Sequence, residues 1–223
     1  MHRATVAAAW NETAVLRGLR LGVGAGAASH VQAGQHVLVQ CPAGSGVFAL
    51  ASRPGADGFE LLIKRGTPLA DFLCELAAGA LVEVGDAQGP GYPLDLARGG
   101  DLVLIAAGSG IAPIRSAVLQ VLARRHDFGR VALYYGAKTA DDLAYAREMT
   151  AWELAGIAVH RVLSQAKGSW VGPMGYVQDV LSGATIDPER TRAFVAGMPP
   201  MLQAVGDALA ALGLPADRIH GNT

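Results

Sequence analysis

After Asp101 the chain changes rhythm, and that change limits its fold more than any other feature. Short apolar runs alternate with longer segments of helical spacing. Strands are expected at Leu102–Ala107, Arg130–Tyr135, Ile157–Leu163, Ala193–Ala196 and a short piece near Ile219. Helices are expected between them, at Ala112–Arg125, Asp141–Leu154, Gly175–Leu181 and Pro200–Leu212. Alternation of this kind predicts a parallel, Rossmann-like five-stranded sheet with helices on both faces. Ligands of such a sheet lie at the carboxyl ends of its strands, near the switch in strand order. The sharpest junction is Ala107-Gly108-Ser109-Gly110-Ile111-Ala112-Pro113. There a buried strand feeds a helix through a tight turn with bare backbone. The turn leaves N–H groups at a helix N-terminus, which suits a phosphate or diphosphate. Pro113 fits the first helical turn, where its missing N–H costs nothing. Taken alone, the turn is an ordinary strand–turn–helix connection.

The first half reads differently. Val15–Val23, Gln35–Gln40, Val47–Ser52, Gly58–Lys64 and Ala80–Gly85 are short β-like runs. Pro42–Gly46 and Arg53–Gly58 read as hairpin connections between them. One helix interrupts the strands, with Leu69, Phe72, Leu73 and Leu76 at helical spacing and Gly79 at its end. This pattern predicts a small closed barrel, taken here as six-stranded and antiparallel. The Gly- and Pro-rich segment Gln88–Gly100 is the natural boundary, giving a barrel domain over residues 1–98 and an α/β domain over residues 99–223.

Composition narrows the function by exclusion. A net charge of −1 gives no pull toward nucleic acid or an anionic membrane surface. No apolar run approaches the roughly 18 residues of a membrane span. The N-terminus is apolar only from Val6 to Trp10 before Asn11-Glu12, a poor signal peptide. Cys41 and Cys74 have no metal-binding spacing and read as small buried hydrophobes in a reducing compartment. The six histidines are scattered, so no metal site is expected. The expectation is a soluble, cytoplasmic protein.

The later strand ends add small and polar residues to the Gly-Ser-Gly turn. The second closes on Tyr135-Gly136-Ala137-Lys138. The third closes on Ser164, with Lys167 and the Trp170–Val177 segment behind it. The fourth closes on Ala196-Gly197-Met198-Pro199. In this order the set closely resembles the ferredoxin–NADP reductase-like family of flavin oxidoreductases. That family shows a G-[GST]-G-I-A-P turn, a strand ending Y-G-x-[RK], a W-x-G-x-x-G-Y-V segment and a C-G-P-P-x-M turn. The first half is similar too. Ala33-Gly34-Gln35-His36-Val37 looks like the A-G-Q-[FY]-V strand, and Val47–Ser52 sits at the R-x-[YF]-[ST] flavin strand. Lys64-Arg65-Gly66-Thr67 begins the helix that supports the flavin diphosphate. The barrel looks most like that of electron-transfer subunits related to dihydroorotate and sulfide dehydrogenase partners.

The resemblance implies bound FAD, a nicotinamide nucleotide and hydride transfer between them, with no catalytic acid or base and no metal. It implies a flavin face at Phe48, Ala49, Leu50 and Ala51, with Lys64, Gly66 and Thr67 toward the flavin phosphates. Thr67 is equally readable as an N-cap. Gly108, Ser109, Gly110 and Ile111 would take the nicotinamide dinucleotide's diphosphate, beside Gly136. Ser164, with Lys167, would face the adenosine ribose or a 2′-phosphate, or else lie in a solvated loop. Ala196, Gly197, Met198 and Pro199 would form the nicotinamide wall. Arg115 is expected at the surface, and Tyr92 and Tyr176 in structural roles. A carboxylate at Gly110 is expected to raise the nicotinamide KM.

The departures are specific. Gly46 stands where the family has the Arg that neutralises flavin phosphates, and Ala49 where it has a hydroxyl for flavin N5. Ala196 stands where it has Cys, and Met198 where it has the first Pro. Lys64, Arg65 or Arg53 could supply charge in place of the Arg. Thr223 carries no aromatic to cover the flavin, and no cysteine cluster is present to hold iron and sulfur. The expected activity is therefore NAD(P)H-dependent flavin reduction, with electrons passed to an unidentified acceptor, a redox partner protein or subunit. The alternatives are a non-catalytic nucleotide-binding or regulatory subunit, and a reductase of diffusible flavin.

Overall fold

The computed structural model describes residues 1–222; the end of the sequence at Thr223, with its expected lack of a covering aromatic, lies outside them. The first half forms six antiparallel strands: β1 (His2–Asn11), β2 (Leu16–Gly22), β3 (His36–Cys41), β4 (Gly44–Ala49), β5 (Phe59–Lys64) and, after helix α1 (Pro68–Cys74), β6 (Leu81–Val84). Their order is β4-β3-β6-β1-β2-β5. The sheet curls until its two edges meet. Ala51 N–H donates to the Glu60 carbonyl at 2.8 Å, and Leu50 bridges Leu61. Alternation does the sorting: Val37, Val39, Val82 and Val84 are buried inside while their sequence neighbours point out. The apolar stretch at Val6 to Trp10 belongs to β1, which bulges between Val6 and Ala8. β4 begins earlier than expected, because Gly44, Ser45 and Gly46 pair with Cys41, Gln40 and Val39 and shorten the hairpin connection.

The second half is the expected parallel sheet. It contains β7 (Asp101–Ala107), α2 (Ile111–Ala123), β8 (Val131–Ala137), α3 (Ala146–Leu154), β9 (Ile157–Leu163), α4 (Val177–Leu181), β10 (Thr191–Ala196), α5 (Pro199–Ala211) and β11 (Ile219–Gly221). The strand order is β11-β10-β7-β8-β9. Helices α2 and α3 pack on one face; α4 and α5 pack on the other. The helix expected over Asp141–Leu154 is broken. The Asp142 carboxylate accepts the Thr139 N–H and hydroxyl at 3.1 and 2.7 Å and closes a short turn. Tyr145 then takes a left-handed conformation (φ 59°), and α3 starts one residue later.

The segment Gln88–Gly100 is a packed joint. Tyr92 is fully buried, stacks on Phe194 with ring centroids 4.9 Å apart, and donates its hydroxyl to the Val195 carbonyl at 3.2 Å. Burying such a ring stabilises the joint by about 2 kcal/mol. Leu16, Ala33, Ala51 and Leu62 of the barrel share one buried cluster with α2. Cys74 is buried and Cys41 half-buried, neither in a disulfide. Among the described residues no helix is long and apolar enough to cross a membrane. None of their His, Cys, Asp or Glu side chains gather to hold a metal.

Candidate functional site

Parallel strands bring their carboxyl ends to one edge. Ala106 pairs with Ala196 on one side and Tyr135 on the other, Ala107 with Gly136, and Ala137 with Leu163. The loops that follow therefore line a single rim. Its centre is the turn Gly108–Gly110, with Gly108 at φ 55°, leading into α2. The N–H groups of this opening turn come before the first helical carbonyls and so have no helical acceptors. Tyr135 braces the turn from below: its buried hydroxyl donates to the Gly108 carbonyl at 3.2 Å and accepts the Ala144 N–H at 3.2 Å. Order reverses between β10 and β7, so the Gly108 and Gly197 turns flank the switch point. They also touch: a Cβ on Gly110 would lie 2.5 Å from the Ala196 carbonyl oxygen. Any side chain at Gly110 would thus clash with backbone. A carboxylate placed there would test packing as much as repulsion, and Ser109 is the better position.

The other expected residues fall on or under this rim. Gly136 is half-buried at the end of β8. Ser164 is half-buried, its N–H bonded to the Ala137 carbonyl at 3.0 Å, and Lys167 is exposed beyond it. Met198 and Pro199 are exposed at the start of α5, while Ala196 is buried beneath them. Ile111 is fully buried and its N–H closes on the carbonyls of Gly108 and Ser109. It holds the turn's shape from inside and presents no side chain to the rim. The rim fits a dinucleotide diphosphate: bare backbone approaches closely at the head of a helix of 13 residues.

The barrel face is a different case. Phe48 and Ala49 are half-buried at the end of β4. Leu50 and Ala51, expected with them, are fully buried. Their N–H groups go to the carbonyls of Gln35 and Glu60, at 2.9 and 2.8 Å. Their side chains pack the interior. A Cβ on Gly46 would lie 2.6 Å from Leu69 and 3.5 Å from the Phe48 ring, so hydrocarbon fills the place of the family's Arg. Thr67 is the N-cap of α1, its hydroxyl accepting the Ala70 N–H at 3.2 Å, and the Gly66 N–H is held by Asp71 at 3.0 Å. Arg65 is paired with Glu75 at 2.7 Å. Lys64 is exposed, and among the described residues no ion pair includes it or Arg53. This face fits the ring end of a flavin better than its phosphates.

Arg115 is not at the surface. Its side chain is 11% exposed and lies between the halves. Nη1 donates to Glu60 at 2.6 Å and to the Ala51 carbonyl at 2.8 Å, and Nε and Nη2 reach Glu148 at 2.9 Å. The guanidinium sits 4.6 Å over the Tyr145 ring. Burial opposes its charge, but Glu148 and the charges around it hold its pKa above the ordinary value. Burial likewise disfavours the Glu60 carboxylate, yet Arg20 and Arg115 outweigh it and keep that pKa low. Sequence reasoning missed this cluster and the Tyr135 brace. One signal was present: Arg115 falls on the apolar stripe Ile111, Ile114, Val118, where a charge needs a buried partner. Nothing in the sequence could pair it with Glu60, which is 55 residues away.

Comparison with known proteins agrees with this architecture. Residues 104–207 match the family described as the oxidoreductase NAD-binding domain. The chain is 32% identical over 218 residues to the ferredoxin–NAD(+) reductase component of the alkene monooxygenase system of Xanthobacter autotrophicus, covering 93% of this chain and 66% of that one. It is 30% identical over 191 residues to sulfhydrogenase 1 subunit gamma of Pyrococcus furiosus, covering 83% of this chain and 65% of that one. It thus spans just under two thirds of each of these relatives. The Amycolatopsis cytochrome P450 reductase GcoB superposes with a TM-score of 0.86 at 25% identity, over 99% of this chain and 68% of that one. With the barrel, the parallel sheet, the joint between them and relatives aligned across both, the chain belongs to the ferredoxin–NADP reductase-like family.

Proposed function

We propose that the chain is an NAD(P)H-dependent flavin oxidoreductase, taking a hydride from the nicotinamide onto FAD and passing electrons to a redox partner protein or subunit. The observation that carries this reading is the seating of α2, which opens on the Gly108–Gly110 turn, against residues 51–52, which follow the Phe48–Ala49 strand end. The Ser116 hydroxyl donates to the Ser52 carbonyl at 2.6 Å, and Arg115 to the Ala51 carbonyl at 2.8 Å. Nicotinamide and flavin, when bound, carry the redox chemistry between them. The chain's part is to bind, orient and exclude water. Backbone N–H groups at the head of α2 hold the diphosphate. Gly197 and Met198 wall the nicotinamide end, and Ser164 with Lys167 stands beside the ribose. Phe48 packs against the flavin ring, and Ala49 offers it a backbone N–H. Relatives named as reductase components of multi-component systems support a protein acceptor. The unpaired thiols Cys41 and Cys74 suit a reducing cytoplasm.

One observation favours a second reading. Leu69 and Phe48 occupy the space over Gly46, so no barrel cation anchors a flavin phosphate there. Flavin would then exchange as a diffusible substrate. The test is oxidation of NADH and of NADPH by the purified chain with ferricyanide as acceptor, with FAD, FMN or riboflavin added in turn. Turnover that saturates at low FAD supports the bound-cofactor reading. Equal use of all three flavins, each with a high KM, supports the second. No turnover with any of them contradicts both.

A further inference from the structure

We propose that Arg115 is a positioning residue that sets the distance between the dinucleotide rim and the flavin strand, an inference that rests on the reductase reading. Its guanidinium joins four segments: the end of the flavin strand at Ala51, β5 at Glu60, α2 itself and α3 at Glu148. Ser116 adds the bond to Ser52. Residues 51–52 are themselves registered on β5, because Ala51 N–H reaches the Glu60 carbonyl and Ser52 Oγ accepts the Glu60 N–H at 3.1 Å. The flavin strand is thus fixed to the barrel on one side and to α2 on the other.

The lever arms are short. From Gly110 to Arg115 is roughly 8 Å of helix, and from Ala49 to Ala51 roughly 7 Å of strand. A shift at Arg115 reaches both ligand surfaces almost undiminished. Hydride transfer needs reacting atoms about 3–3.5 Å apart, and a misplacement of about 1 Å costs about a hundredfold in rate. The joint's chemistry suits this role. Packed hydrocarbon would hold the halves together as firmly as a buried ion cluster. A forked guanidinium bound to two carboxylates and a carbonyl instead permits one docking geometry.

A second clamp points the same way. Tyr145, under the guanidinium, is the one non-glycine residue at positive φ among the described residues. Such a backbone costs about 1–3 kcal/mol and persists only where its surroundings hold it. Here the barrel does so, with the Glu12 carboxylate accepting the Tyr145 N–H at 2.9 Å. The strained residue of one half is held by a side chain of the other, beneath Arg115.

The test uses the full chain with Arg115→Met and Arg115→Lys, read in two ways. The first is amide hydrogen exchange of flavin-free protein. Arg115→Met should speed exchange at the bonded amides of Ala51 and Tyr145 by about tenfold or more, leaving β5 and β7 protected. The second is anaerobic single-turnover flavin reduction. The rate should fall about 10- to 100-fold while the nicotinamide Kd stays within about threefold, and Arg115→Lys should recover part of the rate. Unchanged exchange overturns the proposal, as does loosened exchange with an unchanged reduction rate. A wild-type chain that reduces no flavin overturns the reductase reading instead; the exchange result then still decides whether Arg115 keys the two halves. If Arg115→Met unfolds throughout, Glu148→Gln at the half-exposed end of the cluster should give the same pattern at smaller amplitude, and no change there overturns the proposal.

Discussion

The two regions proposed to face ligands are made of different material. The rim of the parallel sheet is backbone: Gly108 at positive φ, Gly110 against the Ala196 carbonyl, and N–H groups at the head of α2. The barrel face depends on what side chains extend from β4, and there Gly46 and Ala49 offer neither charge nor hydroxyl. A site made of backbone is fixed by the fold and leaves a glycine signature. A site made of side chains can change while its strand stays in place. On the proposed reading, the nucleotide end is accordingly better defined in this chain than the flavin end.

That contrast can be broken or sharpened by substitution, and the largest effect is expected at the rim. Ser109→Glu places a carboxylate beside the diphosphate without entering the Gly110–Ala196 contact. It should raise the nicotinamide KM by about a hundredfold, leaving flavin affinity unchanged in a titration of the same protein. Equal loss of both affinities would show that the two regions are not separable.

Acid should find the barrel before the sheet. His30 is 2% exposed, and burial, outweighing a backbone contact with Gln32, pulls its pKa down to about 4. His160 and His220 shift the same way in less buried places. The unfolded chain takes up a proton near pH 6.5 that folded His30 refuses. Stability is therefore full above that pH and falls as pH drops toward 4. The loss should reach about 2 kcal/mol by pH 5. Thermal melts at pH 7 and 5 measure it, and His30→Phe should remove most of the difference.

The barrel face should be repairable. Gly46→Arg combined with Leu69→Ala opens the space over the strand and supplies the missing cation. FAD should then bind about tenfold more tightly, with riboflavin and nicotinamide affinities unchanged. Gain for riboflavin as well would mean that shape, not phosphate charge, was altered. The smallest effect belongs to Tyr135→Phe. Losing the brace under Gly108 costs about 1 kcal/mol, seen as a nicotinamide KM about fivefold higher.

The sequence reveals what is periodic or glycine-marked and conceals what is joined at long range. The barrel strands, the parallel sheet and the Gly108–Gly110 rim follow from alternation, helical spacing and turn residues. The left-handed Tyr145 just before α3 does not, because Glu12 of the barrel holds its N–H from across the joint. The flavin-strand motif runs through Leu50 and Ala51, but it does not reveal that barrel closure onto Gln35 and Glu60 buries both. Arg115 looked superficial because its partners come from 55 and 33 residues away. In each case the missing information is tertiary.

The most direct test is the visible spectrum of the FAD-loaded chain under anaerobic conditions, before and after NADH and then NADPH. Bleaching of the flavin band by one equivalent of either nucleotide is the predicted result, and it would also identify the donor. A chain that binds FAD but keeps its colour with both nucleotides would contradict hydride transfer between the two surfaces. A chain that takes up no FAD at all would contradict the flavin face at β4.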